Sequence, residues 1–402
     1  MTMNERILIS GASIAGLTLA YWLNKFGFRP TIIERATRLR EGGNGVDMRE
    51  DAIEVAERMG IMSQIRAEAA DVIGMSFVNA ANHSLARIDM QAIQQRLDSG
   101  QVEIMRGDLV AMLHELTKND IEYIFGDSIR MLEQTGDGVM VSFEHGSTRQ
   151  FDLVIGADGL HSTVRHLAFG PESQFILYKD HYFAFADANP ALGDDRWMTI
   201  YNMPGKMVGV YRSGNHVGAK AYFIFRQPNP LTYDHRDIEQ QKRIISNTFA
   251  NISSWRVQEL LAGALADPKF YFDALCQVRM QSWSKGRVAL VGDAAYCASP
   301  ASGAGATLAM VGAYRLAGEI AAADGNHQLA FRRYEEGNRK LVKRMQKIGP
   351  NIRLMVPKRH IGIWVRNTIA RLPLMKSLSR VEHILQPKHT EPLPYYQRES
   401  RI

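Results

Sequence analysis

Two cysteines in 402 residues, Cys276 and Cys297, are too few for a disulfide framework and show no metal-ligand spacing. They read as buried packing residues, and no metal site is expected. Long hydrophobic runs are missing too: nothing approaches the roughly 20 apolar residues that cross a bilayer. A buried strand begins within about six residues of the N-terminus, which leaves no room for a secretory leader and points to the cytoplasm. Repeats and low-complexity tracts are absent. So is an excess of base in the main body. Residues 339–402 hold fifteen Lys and Arg against three acids, so the net +6 conceals a body with 33 basic and 39 acidic residues. That distribution argues against a nucleic-acid enzyme with a basic body. What remains, 46% hydrophobic and 22% charged residues, suffices for two globular domains.

The most informative stretch is Gly11-Ala12-Ser13-Ile14-Ala15-Gly16. Before it, Arg6 to Ser10 is a short apolar run of the kind that forms a buried parallel strand. After it, Leu17, Ala20, Tyr21 and Leu23 recur at helical spacing. A second strand, Thr31-Ile32-Ile33, closes on Glu34, eighteen residues past Gly16. Strand, glycine turn, helix, strand and acid make the dinucleotide-binding pattern. Gly11 permits the tight turn and Gly16 a close helix–sheet contact. The amides of Ile14, Ala15 and Gly16 open the helix and suit a pyrophosphate. Glu34 would accept from a ribose hydroxyl. Ser13 stands where a middle glycine is usual; its hydroxyl either donates to phosphate or caps an ordinary turn.

Arg35 to Arg49 carries Gly42, Gly43 and Gly45 among Arg38, Arg40, Asp47 and Arg49 and reads as a loop. Helices are expected over 51–59 and 109–117, and short strands over 121–125, 129–133 and 139–144. Phe151 to Ile155 is a continuous apolar run typical of a parallel strand, and it empties into a turn carrying Asp158. Between 176 and 226 the texture becomes alternating aromatic and β-branched, as in an inserted antiparallel sheet. A further parallel strand, 287–291, runs into Asp293, and small-residue helices follow over 303–323 and 329–347. The tail over 357–385 reads as helical with an interruption near Pro373. Three apolar strands thus end in turns bearing Glu34, Asp158 and Asp293, and in a parallel sheet such turns share one rim.

With Asp158-Gly159-Leu160-His161-Ser162-Thr163-Val164-Arg165 and Gly292-Asp293-Ala294-Ala295 followed by Pro300 and Gly303-Ala304-Gly305, these motifs resemble the FAD-dependent group A aromatic monooxygenases, the para-hydroxybenzoate hydroxylase-like flavoproteins. The likeness spans nearly the whole chain and is greatest to the tetracycline-inactivating members, through Gly42 to Asp47 and Glu103 to Leu109. It implies an α/β fold: a Rossmann-like FAD-binding domain (1–175 and 271–345), an inserted antiparallel-sheet substrate domain (176–270) and a C-terminal helical segment (346–402). It also implies FAD as cofactor, NADPH or NADH as co-substrate, and a phenolic or polycyclic aromatic substrate with O2. In such enzymes the reduced flavin and O2 give a C4a-hydroperoxide that hydroxylates the substrate, so no catalytic side chain is required.

By the same resemblance Glu34, with neighbouring Arg35, serves the adenosine ribose, Asp47 and Arg106 the flavin side, and Asp293 a ribityl hydroxyl. Gly303, Ala304 and Gly305 bring backbone close to the ring. Arg40 becomes a contact for NADPH phosphate, and Asp158 with Arg165 links the FAD site to transient pyridine-nucleotide binding; the bland alternative is a structural Asp158–Arg165 ion pair across one helical turn. Ala304 and Thr307 depart from the Gln and Asn of many relatives. Substrate contacts are expected from Tyr201, Tyr211, Arg212, Phe223 and Phe225, against the alternative that they are sheet core. His161 and His181 read as structural. The tail, with Ile361, Ile363, Trp364 and Ile369 among Lys358, Arg359, Arg366 and Arg371, is either a packed helix with a basic outer face or a weak membrane-surface contact. Monomer and homodimer both fit. The competing functions are a non-oxygenating flavoprotein reductase of the same fold and a non-catalytic flavin- or ligand-binding protein; a halogenase is disfavoured because no Trp-x-Trp-x-Ile-Pro run is present.

Overall fold

The computed structural model describes residues 6–40, 42–92, 100–347, 351–371 and 392–396. Arg6–Ser10 is the centre of a six-stranded sheet. On one side it pairs in parallel with Arg29–Glu34, and Glu122–Phe125 lies beyond; on the other it pairs with Leu153–Gly156, followed by Val288–Leu290 and the short antiparallel Ser284–Lys285. The registers Ile9↔Ile32, Ile9↔Ile155 and Ile155↔Ala289 align the strands at their carboxyl ends. That alignment follows from continuous apolar strands, buried on both faces, which only a helix-covered parallel sheet accommodates.

Two helices matter most for the rim. Ile14–Lys25 and Gly305–Ala322 pack together, with Trp22 edge-on to Tyr314 at 4.8 Å between centroids. Gly305–Ala322 is buried along nearly its whole length because its alanines and glycines let neighbours approach closely. An added Cβ at Gly312 would lie 1.9 Å from the Tyr296 hydroxyl oxygen. The long C-terminal helix expected over 303–323 begins instead at Gly305, after a short 3-10 turn Pro300–Ser302 and the left-handed Gly303.

The second sheet has seven strands, ordered Tyr271–Val278, Ile176–Ala188, Ala219–Arg226, Lys206–Arg212, Trp197–Met203, Gly74–Val78 and Ser84–Asp89. It therefore draws strands from outside 176–270. The pair Gly74–Val78 and Ser84–Asp89 had no counterpart in the sequence reading, although Asn79 to His83 is a polar hairpin turn with Asn82 in the left-handed region. Ala219–Arg226 alternates strictly between buried and half-buried positions, the two-residue period of a strand with unlike faces. One face is covered by the helices Ile238–Phe249 and Val257–Ala266; the other looks toward the dinucleotide rim.

In the tail, His360–Arg371 is helical, while the interruption expected near Pro373 lies outside the described residues. The expected basic outer face is reversed at its centre. Arg366 is buried, with its guanidinium 3.8 Å from the Phe77 ring centroid and 2.7 Å from Asn202 Oδ1, and desolvation pushes its pKa down to about 10. Ile361 and Trp364 face outward instead, at 68% and 66% exposure. No helix among the described residues is long and apolar enough to cross a membrane.

Candidate functional site

The glycine turn is held by backbone geometry that other residues cannot adopt. Gly11 has φ +108°, and an added Cβ would lie 2.6 Å from the Ala157 carbonyl oxygen. At Gly16 an added Cβ would lie 1.9 Å from the Gly11 carbonyl oxygen. Leu17 N–H donates to Ser13 O, so the amides of Ile14, Ala15 and Gly16 precede the first N–H that donates within the helix. Glu34 closes the turn: its two carboxylate oxygens accept from the Ala12 and Ala36 amides, each at 2.9 Å.

Ser13 does not cap the helix through its side chain. Its hydroxyl instead accepts from Arg106 Nη2 at 2.7 Å, which brings a guanidinium to the mouth of the turn. Desolvation by burial, then the charge of Arg40, lowers the Arg106 pKa, while Tyr271, Glu34 and Asp293 act the other way. Arg106 thus lies within electrostatic reach of both acids that sequence reasoning placed at the ends of one cleft.

Asp293 presents a solvent-accessible carboxylate, yet protein surrounds it closely enough that desolvation raises its pKa. Gly292 packs against the first helix, where an added Cβ would lie 2.9 Å from Ala15 Cβ. Nearby, an added Cβ at Gly305 would meet nothing within 4 Å, so open space lies at the amino end of its helix. An exposed acid thus stands near the amino end of a long helix, whose dipole favours negative charge.

The strand Gly45–Met48 borders that space. Asp47 accepts from Arg49 Nη2 at 2.8 Å and stands where a Cβ on Gly303 would fall, 2.6 Å from its Oδ2. Thr307 explains itself here. Its hydroxyl accepts from the Arg49 amide at 3.2 Å and donates to the Asp47 carbonyl at 3.4 Å, so it ties the strand to the helix. Ala304 is buried, and its amide donates to Ser302 Oγ at 3.2 Å.

Asp158 and Arg165 do not form the ion pair considered above. Asp158 accepts from the Ser162 hydroxyl and from the Val164 amide, capping its own turn. Arg165 points the other way, into the core, and donates to the carbonyls of Ala294 (2.9 Å) and Leu160 (2.5 Å) and to Glu172 Oε2 (3.2 Å). The short helix Thr163–Phe169 explains the divergence: Asp158 lies before its amino end, whereas Arg165 lies on its buried side.

The five expected substrate contacts divide between the two faces of the second sheet. Phe223 and Phe225 are core beneath the helices, edge-on to Phe249 at 5.3 and 6.3 Å. Tyr201 shares that face through its register with Val208 and packs beside Trp255 at 5.7 Å. Arg212 pairs with Asp195 at 2.9 Å and bonds the Gly193 carbonyl. Only Tyr211 looks toward the rim. The facing set that sequence reasoning missed is Phe185, Tyr222 and Tyr271, which share the Tyr211 face by strand register. Phe185 stacks on Tyr271 at 4.8 Å, and the Tyr222 hydroxyl donates to Asn44 Oδ1 at 3.2 Å. A single step back from the buried Phe223 puts Tyr222 on the opposite face of the strand, but does not say which face the helices cover.

His161 joins the turn after Leu153–Gly156 to the strand Tyr271–Val278 of the second sheet. Nδ1 lies 3.1 Å from both Glu172 oxygens and Nε2 3.3 Å from Asp273 Oδ1, with His235 stacked on its ring at 4.3 Å. Burial alone would lower its pKa; the hydrogen bonds and charges of Asp273 and Glu172 outweigh it and raise the value to about 9. Because the folded-state value is raised, its contribution to stability is complete below about pH 6.5 and is lost as pH rises through about 9. The thermal midpoint of the native chain is therefore expected to fall between pH 7 and 9.5, and that of His161→Gln to fall less. Equal slopes would show the contribution to be absent. His181, also read as structural, bonds the Lys179 carbonyl at 2.8 Å.

Comparison with known proteins is consistent across the chain. The family profile described as "FAD binding domain" matches residues 5–346. A "Flavin-dependent monooxygenase" of Legionella longbeachae is 39% identical over 349 residues, covering 87% of this chain and 89% of that one. An uncharacterized protein of Mycobacterium tuberculosis is 41% identical over 343 residues, covering 85% and 92%. Among solved structures, tetracycline destructase Tet(51) superposes with a TM-score of 0.82 at 34% identity, over 98% of this chain and all of that one.

Proposed function

This chain belongs to the FAD binding domain family, and from that membership we propose that it is an FAD-dependent monooxygenase that uses NAD(P)H and O2 to hydroxylate a phenolic or polycyclic aromatic substrate. The observation that carries the reading is the rim. It is supported by three acid-bearing turns following adjacent parallel strands, and by an aromatic sheet face that bonds to the neighbouring segments through Tyr222–Asn44 and Tyr211–Glu103. Bound FAD supplies the redox and oxygen chemistry. The chain's own residues bind, orient and exclude water. Glu34 accepts from the adenosine ribose. Ser13, Arg106 and the amides of Ile14, Ala15 and Gly16 hold the pyrophosphate. Asp293 would take a ribityl hydroxyl, and the helix amino end would favour negative charge on the ring. Tyr211, Tyr222, Phe185 and Tyr271 form the apolar wall that shields the reacting centre. Likeness to a tetracycline destructase supports a tetracycline-like compound as one substrate class.

Arg40 belongs to a wider basic group in this reading. Burial, then the charges of Arg236 and Arg40, lowers the Arg35 pKa, while Glu34 and Glu144 oppose them. Arg35 and Arg40 come from the dinucleotide domain and Arg236 from the sheet domain, so a pyridine dinucleotide phosphate is gripped from both sides. In the tail, outward Ile361 and Trp364 beside Lys358 and Arg359 support a weak contact with a membrane surface.

The test is direct. The purified protein should carry or bind flavin, and NADPH oxidation should rise with one member of a panel of tetracyclines, anthracyclines, quinolones and simple phenols. The product should be heavier by one oxygen. Arg236→Ala should raise the KM for NADPH roughly tenfold, about 1.4 kcal/mol, with kcat nearly unchanged. Flavin reduction without an oxygenated product would establish a reductase instead; failure to bind flavin would establish a sequestering protein.

A further inference from the structure

The proposed FAD site has a neighbour that its residues do not account for. Glu103 lies on the strand Val102–Met105, which pairs antiparallel with Gly45–Met48 so that Glu103 stands directly opposite Asp47. Opposed residues in such a pair share a face, and two carboxyl groups therefore stand side by side. The Glu103 side chain crosses Gly45 closely: an added Cβ there would lie 2.0 Å from Oε1. Beyond it, the Tyr211 hydroxyl donates to the same Oε1 at 2.9 Å. One carboxyl group thus spans from the strand bordering the cleft to the aromatic sheet.

Burial, reinforced by the charge of Asp47, pushes the Glu103 carboxyl up to about 7, and the Tyr211 hydrogen bond acts against that rise. Each packed element contributes a facing group. Asp47 comes from the opposed strand with Arg49 bonded to it, Tyr211 and Tyr222 come from the sheet, and Arg106, next to this strand, turns away to Ser13. Two adjacent carboxylates cannot both ionise without cost. With Oε1 already accepting from Tyr211, Oε2 is the oxygen free to carry a proton.

We infer that Glu103 is a positioning residue for the flavin: protonated, it clamps Gly45–Met48 between the aromatic sheet and the amino end of Gly305–Ala322, so that FAD binding is linked to uptake of one proton. Ionised, it repels Asp47 and loosens the strand. The inference rests on the FAD site proposed above.

Titration of the FAD-stripped full-length chain with FAD, followed by quenching of flavin fluorescence at pH 6, 7 and 8, tests it. Native protein should bind about tenfold more weakly at pH 8 than at pH 6. Glu103→Gln, which keeps the shape without the ionisation, should show no such fall. Tyr211→Phe removes the hydrogen bond that lowers the Glu103 pKa, so the fall should move to higher pH. A flat native profile, or a fall retained in Glu103→Gln, overturns the inference while leaving the FAD site standing. Should Glu103→Gln fail to fold by circular dichroism, an unmoved profile in Tyr211→Phe overturns it alone. No FAD binding at any pH would defeat the site itself, and this inference with it.

Discussion

Gly16→Ala is expected to lower FAD affinity by about fivefold to 150-fold, the effect of roughly 1–3 kcal/mol of overpacking delivered at the binding turn. The new methyl carbon would fall 1.9 Å from the Gly11 carbonyl oxygen, and the obstacle is backbone rather than a side chain able to rotate aside. Gly11 cannot retreat either, since its own position is bounded by Ala157 and Asp158. The turn must therefore move away from the helix, which displaces the amides of Ile14 and Ala15 and the Ala12–Glu34 contact together. Gly305→Ala is the informative companion. Its methyl group meets nothing in the protein within 4 Å, and alanine favours the helix, so the fold should be kept or slightly stabilised. Any loss of FAD affinity in that variant then reports crowding of the cofactor itself. Isothermal titration with FAD on both variants separates the effects; native affinity in Gly16→Ala would show that the turn has no part in binding.

Arg165→Ala is expected to lower stability by about 2–4 kcal/mol, because two core carbonyls lose their donor, while the pair with the 39% exposed Glu172 adds little. The Arg165 side chain has no solvent exposure, and its loss strands the Ala294 and Leu160 carbonyls and leaves Glu172 beside His161 with one cation fewer. Ala294 follows Asp293 directly, so FAD affinity should fall as well. Arg165→Lys should recover part of the loss, because an ammonium keeps the charge but not the planar fork that reaches three acceptors. Urea unfolding midpoints of the three proteins decide the matter. A midpoint in Arg165→Ala within experimental error of the native one would refute the structural role.

These outcomes separate what could be read along the chain from what could not. The glycine turn, Glu34 and the three acid-bearing turns were legible because each depends on local backbone geometry, and because continuous apolar strands imply a parallel sheet whose carboxyl ends coincide. Arg165 shows the limit. Its spacing from Asp158 suggested a partner within one helical turn, but its true partner, Glu172, was decided by the direction in which a seven-residue helix buries its side. Phe223 and Tyr222 show the same limit in a strand. Period-two alternation places them on opposite faces, yet nothing local says which face the helices Ile238–Phe249 and Val257–Ala266 cover.

By itself, then, the sequence determined a dinucleotide-binding rim and the family to which the chain belongs, since both are written in short-range turn chemistry and strand patterning. Only the tertiary structure decided that Tyr211, Tyr222, Phe185 and Tyr271 share the sheet face turned from the helices, that Arg366 turns inward against Phe77, and that Glu103 meets Tyr211 across 108 residues of chain. Contacts at such separations arise from how layers stack and strands register, and a one-residue change of register would exchange every one of them for its neighbour.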